Sequence, residues 1–227
     1  MKKEFVITDI HGCYKTFRYL VEEILQLKKY DSLFLLGDYI NKGPSSKSTL
    51  DYIMNLQEEG FHVFALMGNH EKILLDAIHQ PSLFYLFLEK GGNATLTDFG
   101  VDKISDIPQK YINFLQSLNY YIDHDPWILV HAGFNYQSQN PLDEKDTMLN
   151  IRHIKKPATL HKNRMIIHGH VPVPLHQIIH QFKFSDHWNY FLDAGCVYPD
   201  RNGMGFLVAL ELKTKKLFAK ECMDDIN

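Results

Sequence analysis

The sequence predicts an α/β fold, a four-layer α-β-β-α sandwich in which two mixed sheets face each other and helices lie outside. Three observations support this prediction. In the first third of the chain, short apolar runs alternate with helical patterns at about 30 residues per unit, as in βαβ units with right-handed crossovers. The later apolar runs follow one another without helical patterns between them. Several runs end in a short polar motif, which delivers polar side chains to one edge of a sheet.

In the first third, strands are expected at residues 5–9, 33–37 and 63–67, which are short runs of β-branched, aromatic and aliphatic residues. The two segments between them carry apolar residues at spacings of three and four, which predicts one buried face of a helix. These apolar residues are Phe17, Leu20, Val21, Ile24 and Leu25 in the first segment, and Leu50, Ile53, Met54 and Leu56 in the second. This order of elements predicts a parallel sheet.

Residues 72–125 depart from this pattern and are expected to form a small helical cap inserted over the site. The segment contains an apolar stretch, a Gly91-Gly92 pair and a helical pattern near residues 111–118. Beyond it, close spacing predicts hairpins in a second, mixed sheet, with strands at residues 127–130, 165–167, 190–192, 206–210 and 217–219. No linker interrupts the pattern, so a single domain is expected over residues 1–227.

The composition is that of an ordinary globular protein, with 45% hydrophobic and 22% charged residues among 227. A formal net charge of -3 argues against stable nucleic-acid binding, which normally requires a basic surplus. No apolar run has the length of a signal-peptide core or a membrane span, so no membrane partner is expected. Cys13, Cys196 and Cys222 include no CxxC pair, which predicts neither a disulfide framework nor a thiolate zinc site. A reducing cytoplasm is the expected location.

The polar motifs at the strand ends predict a metal centre. They are Asp9-Ile10-His11-Gly12, Gly37-Asp38, Gly68-Asn69-His70-Glu71, His131-Ala132-Gly133 and His168-Gly169-His170. Ligands bind beyond the carboxyl ends of strands in open α/β sheets, so these loops should converge. Carboxylate, amide and imidazole ligands without cysteine suit Mn²⁺, Fe or Zn²⁺.

Charge balance favours two ions in this centre. Asp9 and Asp38 supply only two negative charges against the four positive charges of two divalent ions, while Asn69 and the histidines are neutral. With a bridging hydroxide, the centre keeps about one positive charge, which attracts a phosphate dianion. Two such ions activate water and hold the oxygens of an in-line displacement at phosphorus. The sequence therefore predicts a phosphoesterase with two divalent ions, most simply Mn²⁺.

These motifs resemble those of the calcineurin-like metallophosphoesterases. Within that group they are similar to the bacterial and phage serine/threonine protein phosphatases of the PPP superfamily and to the related symmetrical dinucleoside tetraphosphatases. The resemblance covers nearly the whole chain, from Asp9 through His170 to Asp193-Ala194-Gly195-Cys196. Chain length and the Gly91 to Leu96 segment favour the smaller, protein-phosphatase-like branch.

The resemblance implies a role for each matching residue. Asp9 and His11 would hold the first metal ion, and Asp38 would bridge both ions. Asn69, His131 and His170 would hold the second. His70 would act as the general acid beside the leaving group, and a hydroxide bridging the metals would attack phosphorus directly. Lys42, Asn69 and Arg152 would contact the substrate phosphate, where the planar fork of an arginine fits two oxygens.

One motif departs from the family pattern. The family reads Gly-Asp-x-x-Asp-Arg-Gly, whereas this chain has Asn41 and Lys42 in place of the aspartate and arginine. Asn41 is expected to accept a hydrogen bond from His70 without contributing charge, which makes His70 a weaker proton donor. Lys42 keeps the positive charge but loses the planar fork. Turnover of alkyl phosphates should therefore fall more than that of aryl phosphates, whose leaving groups need little protonation.

The expected function is that of a phosphomonoesterase acting on a phosphorylated protein or a small phosphate ester. Symmetrical cleavage of dinucleoside tetraphosphates is the alternative enzymatic function. A non-catalytic scaffold is the alternative outside enzymes, and the departure at Asn41 and Lys42 is its only support. Because His70 and the predicted ligands are all present, the sequence favours an enzyme.

Overall fold

The computed structural model describes residues 2–155, 164–183 and 187–226. Within these ranges it contains two sheets. The strands are β1 (Glu4–Ile7), β2 (Ser32–Leu35), β3 (His62–Ala65), β4 (Tyr121–His124), β5 (Trp127–Val130), β6 (Met165–His168), β7 (Asn189–Phe191), β8 (Phe206–Glu211) and β9 (Lys216–Glu221). The first sheet has the order β3-β2-β1-β8-β9 and the second the order β4-β5-β6-β7. Both sheets are mixed, as predicted.

The α-helices occupy the predicted positions between β1, β2 and β3 and most of the segment before β4. They are α1 (Tyr14–Tyr19), α2 (Ser46–Glu58), α3 (Asn69–His79), α4 (Phe84–Phe87), α5 (Asn93–Phe99), α6 (Gln109–Gln116), α7 (Lys145–Asn150) and α8 (Leu175–Gln181). A π-helical turn over Leu20–Leu25 continues α1, and the segment Leu88–Gly92, which is kinked at Gly91 with φ of 87°, connects α4 to α5. No helix among the described residues is long and apolar enough to cross a membrane.

Alternating side chains of the strands separate the core into layers. Phe5 and Ile7 of β1 pack with helices α1 to α6 on one side of the first sheet. Val6, between them, faces the second sheet and packs in a cluster that includes Leu129 of β5. Beyond the second sheet, a smaller cluster contains Met148 of α7. Helices, sheet, sheet and helix thus form the four predicted layers.

The β8–β9 hairpin was predicted in the second sheet, and this prediction is wrong. β8 pairs antiparallel with β1, with Leu210 opposite Val6, so the hairpin extends the first sheet. In the second sheet β5, β6 and β7 are parallel, and only the β4–β5 pair is antiparallel. The parallel β6–β7 pair requires a crossover connection, which α8 provides. The sequence pattern did not indicate α8, because Ile178 and Gln181 are its only buried residues.

The predicted cap over residues 72–125 is helical through Gln116 but ends in β4 of the second sheet, so its predicted end is too late. Its helices pack in the same hydrophobic cluster as α1 and α2. Residues 89–91 are the part of this segment that lines the cleft at the site. Here the backbone N–H of Lys42 donates to the carbonyl oxygen of Gly91 over 3.1 Å.

Candidate active site

The predicted site residues lie at the carboxyl ends of parallel strands from both sheets. Asp9, Asp38 and Asn69 follow β1, β2 and β3, whereas His131 and His170 follow β5 and β6. The two sheets therefore bring their polar loops together at one edge of the sandwich. The loop after β6 approaches the loop after β1 so closely that only glycine fits at position 169. A Cβ atom on Gly169 would lie 1.8 Å from Asp9 Oδ2.

These loops hold their side chains through an unusual backbone conformation. Eight described non-glycine residues have a positive φ, and six of them are predicted site residues. The six are Asp9, His11, Asp38, Asn41, Lys42 and His170, with φ between 43° and 71°. Such conformations cost on the order of 1–3 kcal/mol each and persist only where surrounding contacts enforce them.

Glu71 supplies many of those contacts for the loop after β2. Its fully buried carboxylate accepts four backbone hydrogen bonds: from Asp38 and Gly68 to Oε2 at 2.8 and 3.0 Å, and from Tyr39 and Ile40 to Oε1 at 2.8 and 3.2 Å. Burial and the charge of Asp38 raise the pKa of Glu71 to about 7, while these hydrogen bonds oppose the rise. The sequence analysis assigned no role to Glu71, although it lies in the Gly68 to Glu71 motif.

One group of side chains directs several lone pairs at one point. His131 Nδ1–H donates to the carbonyl oxygen of Leu36 over 2.8 Å, so its Nε2 carries the lone pair. This Nε2 lies 3.0 Å from Asn69 Oδ1, 3.2 Å from His170 Nδ1 and 3.5 Å from Asp38 Oδ1. Burial lowers the pKa of His131 to about 4 and that of His170 to about 3, so both rings are neutral. Asn69 Oδ1, Asp38 Oδ1 and the two ring nitrogens therefore converge as oxygen and imidazole atoms able to ligate a cation.

A second group lies on the other side of Asp38. His11 Nδ1–H donates to the carbonyl oxygen of Ile40 over 3.0 Å, so its Nε2 is an acceptor. Asp38 Oδ2 lies 3.4 Å from His11 Nε2 and 3.8 Å from His70 Nε2. The Lys42 ammonium donates to His11 Nε2 over 2.8 Å, and so places a positive charge at the atom predicted to bind the first metal ion. Asp38 is shared by the two groups, as a bridging ligand would be.

Asp9 lies outside both of these groups, beside a further buried acid. Its two carboxylate oxygens accept from the backbone N–H of His170 at 3.0 and 3.1 Å. Burial, followed by the charges of Asp193 and Asp38, raises the pKa of Asp9 well above its ordinary value. Burial also raises the pKa values of Asp38 and Asp193 to about 6. Divalent cations would relieve the repulsion among these three carboxylates, so the residues present fit the predicted metal ions.

The sequence analysis quoted Asp193 in a motif but gave it no role. A positional signal was nevertheless present. Asp193 follows β7, the next parallel strand after β5 and β6, just as His131 and His170 follow theirs. Its carboxylate is buried and accepts from the backbone N–H of Gly195 over 2.8 Å.

Asn41 contacts His70, but in the opposite sense to the prediction. The Asn41 side-chain nitrogen donates to His70 Nδ1 over 3.0 Å, and its oxygen accepts from the Thr95 hydroxyl over 2.7 Å. Because Nδ1 is the acceptor, the proton of neutral His70 lies on Nε2, the nitrogen on the side of Asp38. Burial, followed by the charge of Lys42, lowers the pKa of His70 well below its ordinary value. Asn41 therefore holds His70 as a neutral hydrogen-bond donor.

The site opens into a cleft of about 680 Å³, and the exposed Arg152 lies on its wall. The sequence analysis missed two further cations on this wall, Lys90 and Arg201. The Arg201 guanidinium stacks on the ring of Tyr198, with its carbon 3.9 Å from the ring centroid. Lys42 Nζ lies 5.3 Å from the centroid of the same ring. The cleft thus joins the acidic centre to a wall with an aromatic surface, on which Lys90, Arg152 and Arg201 outnumber the carboxylates of Glu89 and Asp200.

Comparison with known proteins identifies this arrangement. The model of the calcineurin-like phosphoesterase family matches residues 5–200 of the chain. Two curated relatives are each named a symmetrical bis(5'-nucleosyl)-tetraphosphatase. The protein from Buchnera aphidicola is 39% identical over 75 residues, which are 33% of this chain and 26% of that protein. The protein from Vibrio campbellii is 27% identical over 146 residues, which are 64% of this chain and 48% of that protein. The chain thus spans less than half of the length of these relatives.

Solved structures share the fold over nearly the whole chain. A protein provisionally described as a diadenosine tetraphosphatase superposes with a TM-score of 0.70 at 20% identity, covering 99% of this chain and 95% of that one. A protein serine/threonine phosphatase from Saccharomyces cerevisiae superposes with a TM-score of 0.64 at 12% identity, covering 99% and 81%. At these identities the likeness extends to the fold alone.

Proposed function

The chain belongs to the calcineurin-like phosphoesterases, a family of metal-dependent phosphoester hydrolases, and we propose that it is a phosphomonoesterase of the serine/threonine protein phosphatase type. Its substrate is a phosphorylated protein or a small phosphate ester. The observation that carries this proposal is the placement of His70 Nε2 3.8 Å from Asp38 Oδ2, an oxygen of the carboxylate shared between the two groups of candidate metal-binding side chains. A hydrogen-bond donor there faces the leaving group of a phosphate held at the centre.

The residues proposed to hold two divalent ions are Asp9, His11, Asp38, Asn69, His131 and His170. We propose Mn²⁺ for both positions, with Fe or Zn²⁺ as alternatives that the same oxygen and imidazole donors accept. Bound ions would lower the pKa of a water molecule and neutralise charge on the phosphate. Lys42 donates to His11 Nε2. It must leave that atom before an ion binds there, and the cleft offers it the substrate phosphate instead.

The remaining steps belong to residues on the wall of the cleft. Arg152 and Lys42 bind the phosphate oxygens, and Asn69 orients the phosphate from the opposite side. His70 donates the Nε2 proton toward the leaving-group oxygen, while Asn41 fixes the ring orientation through Nδ1. Because no carboxylate faces Nδ1, an imidazolium has no anionic partner at that nitrogen, and proton donation to an alkoxide leaving group is the weak part of this site.

Symmetrical cleavage of dinucleoside tetraphosphates is the second candidate. Lys90 and the Tyr198–Arg201 stack favour it, because they extend the cationic wall beyond the position of a single phosphate. The names of the curated relatives favour it as well. A nucleobase stacks on aromatic rings and on arginine guanidinium groups in many binding sites. The two candidates therefore differ in whether they need Arg201: a dinucleotide would stack on it, whereas a phosphopeptide would not.

The test is product release by Mn²⁺-loaded protein from phosphoserine peptides and from diadenosine tetraphosphate, measured side by side. Phosphate from the peptides is expected, with a loss of roughly 10²–10⁴-fold in His70→Asn. Arg201→Ala is the matched variant and should leave peptide turnover unchanged. ADP as the main product, lowered by Arg201→Ala, would replace the first candidate with the second. Absence of both products from protein with both ions bound would refute both candidates.

We place the enzyme in the cytoplasm, because its three described cysteines are free thiols, as in a reducing compartment.

A further inference from the structure

The three cysteines of the chain come together at a point outside the active site. Cys13 precedes α1, Cys196 lies in the loop after β7, and Cys222 follows β9. Their sulfur atoms all lie within 4.8 Å of one another, and those of Cys13 and Cys222 are 4.0 Å apart. Cys13 and Cys196 are fully buried, whereas Cys222 is partly exposed. The fold therefore gathers all the sulfhydryl groups of the protein into one cluster with access from solvent.

The spacing of the sulfur atoms matches a thiolate metal site. Zinc binds thiolates at about 2.3 Å with tetrahedral geometry, which places neighbouring sulfur atoms about 3.8 Å apart. The sulfur atoms make only long contacts with other groups. Cys13 Sγ lies 3.9 Å from the carbonyl oxygen of His11, and Cys222 Sγ lies 3.7 Å from that of Asp224. A metal ion would replace weak contacts with strong ones.

Hydrogen bonds to the Asp224 carboxylate hold Cys222 close to Cys13. The buried Asp224 carboxylate accepts from the backbone N–H groups of Lys15 and Thr16, both over 3.0 Å, and from the Thr16 hydroxyl over 2.6 Å. These three hydrogen bonds fasten the segment after β9 to the start of α1, and so bring Cys222 against Cys13. The cluster is thus a consequence of directed polar contacts as well as of apolar packing.

We propose that Cys13, Cys196 and Cys222 bind one thiophilic divalent cation, with Zn²⁺ as the ion that suits three thiolates best. The fourth coordination position belongs to a water molecule on the exposed side of Cys222. A disulfide would use only two of the three sulfur atoms, whereas a metal ion uses all of them. The ion would link the segment after β9 to the loops that carry His11 and Tyr198. Binding of the ion would therefore affect the shape of the cleft.

Cobalt is the probe that separates this site from the active site. A thiolate-bound Co²⁺ ion absorbs in the near ultraviolet through sulfur-to-metal charge transfer, and the oxygen and nitrogen ligands of the active site give no such band. The reduced protein should develop the band to an amplitude of about one sulfur-bound Co²⁺ ion per chain, in addition to the ions that the active site takes up. In Cys222→Ser the band should require a roughly tenfold or higher free Co²⁺ concentration, because one ligand is lost. His131→Ala, which alters only the active site, should keep it.

Thiol reactivity tests the same proposal without a variant. Zn²⁺ should slow the reaction of the wild-type thiols with a disulfide reagent such as DTNB, and a chelator should restore the rate. The proposal is overturned if the wild-type protein develops no charge-transfer band, or if Cys222→Ser keeps an unchanged band. Conversion of Cys13 and Cys222 to a disulfide by dioxygen, in protein that binds no Co²⁺ at sulfur, would also overturn it.

Discussion

At the scale of single residues, the contact between Asn41 and His70 has the largest chemical consequence. An aspartate at position 41 would accept a hydrogen bond from Nδ1–H and stabilise an imidazolium. The Asn41 amide instead donates a hydrogen bond to Nδ1. His70 is therefore held neutral with its proton on Nε2. That tautomer donates a hydrogen bond to a leaving group but is a weak acid, so the chain should handle good leaving groups better than poor ones.

Asn41→Asp should strengthen His70 as an acid. The new carboxylate accepts from Nδ1–H and raises the pKa of His70, while the Thr95 hydroxyl still donates to it. We expect kcat/KM for a phosphoserine peptide to rise about tenfold, while that for p-nitrophenyl phosphate changes little because its leaving group needs no proton.

The double variant Asn41→Asp with Lys42→Arg restores the full family motif and should increase the gain. Steady-state kinetics on the two substrates gives the comparison, with each substrate serving as the control for the other. An equal change on both, or no gain on the peptide, would contradict the assigned role of Asn41.

At the scale of elements, α3 organises the loop after β2 as well as placing Asn69 and His70 at the site. Asn69 and His70 are the first two residues of α3 and lie at the site. The buried Glu71 side chain accepts hydrogen bonds from four backbone N–H groups. The positive φ values of Asp38, Asn41 and Lys42 are maintained within this loop. Helix and loop thus form one unit, in which a single buried carboxylate stabilises a strained backbone.

Glu71→Gln should destabilise this unit without creating a cavity. The amide group keeps one acceptor oxygen but turns an N–H₂ toward two backbone donors, which leaves buried N–H groups unpaired. Each unpaired donor costs about 1–3 kcal/mol, so the two together should lower the free energy of unfolding by about 2–6 kcal/mol in urea denaturation.

Glu89→Gln is the matched control, because Glu89 is exposed on the wall of the cleft. Its free energy of unfolding should change by less than about 0.5 kcal/mol. Equal stabilities of the two variants would mean that Glu71 does not support the loop.

Element patterns also explain what the sequence could predict. Strands β1, β2 and β3 and the helices between them follow from apolar periodicity, and the polar motif after each strand then places Asp9, Asp38 and Asn69 at one edge. Which strands pair with each other is harder to predict from the sequence. β8 is buried along most of its length, but its apolar run does not indicate that it pairs with β1 instead of β7.

Long-range side-chain contacts were beyond the sequence for a related reason. Cys13 and Cys222 are 209 residues apart, and no spacing rule connects them. The Tyr198–Arg201 stack was equally hidden, because a loop aromatic followed by an arginine is common in proteins. Asp193 was recoverable, since it repeats the strand-end pattern of His131 and His170 on the next parallel strand.

At the scale of the whole molecule, the site exists only where the two sheets meet. Asp9, Asp38 and Asn69 come from the first sheet, and His131 and His170 come from the second. The acceptor atoms of Asp38, Asn69 and His131 converge across that boundary. Metal binding should therefore stabilise the packing of the sheets, and the shared Asp38 is the residue on which both groups depend.

The most direct test of this account is Mn²⁺ binding by the wild-type protein and by Asp38→Asn, measured by electron paramagnetic resonance. Two ions about 3.5–4 Å apart should give a spin-coupled spectrum at about two equivalents per chain. Asp38→Asn should lose the coupled spectrum, because the bridging carboxylate is gone. A wild-type protein that binds a single uncoupled ion would contradict the two-metal centre, and a variant that keeps the coupled pair would contradict the bridging role of Asp38.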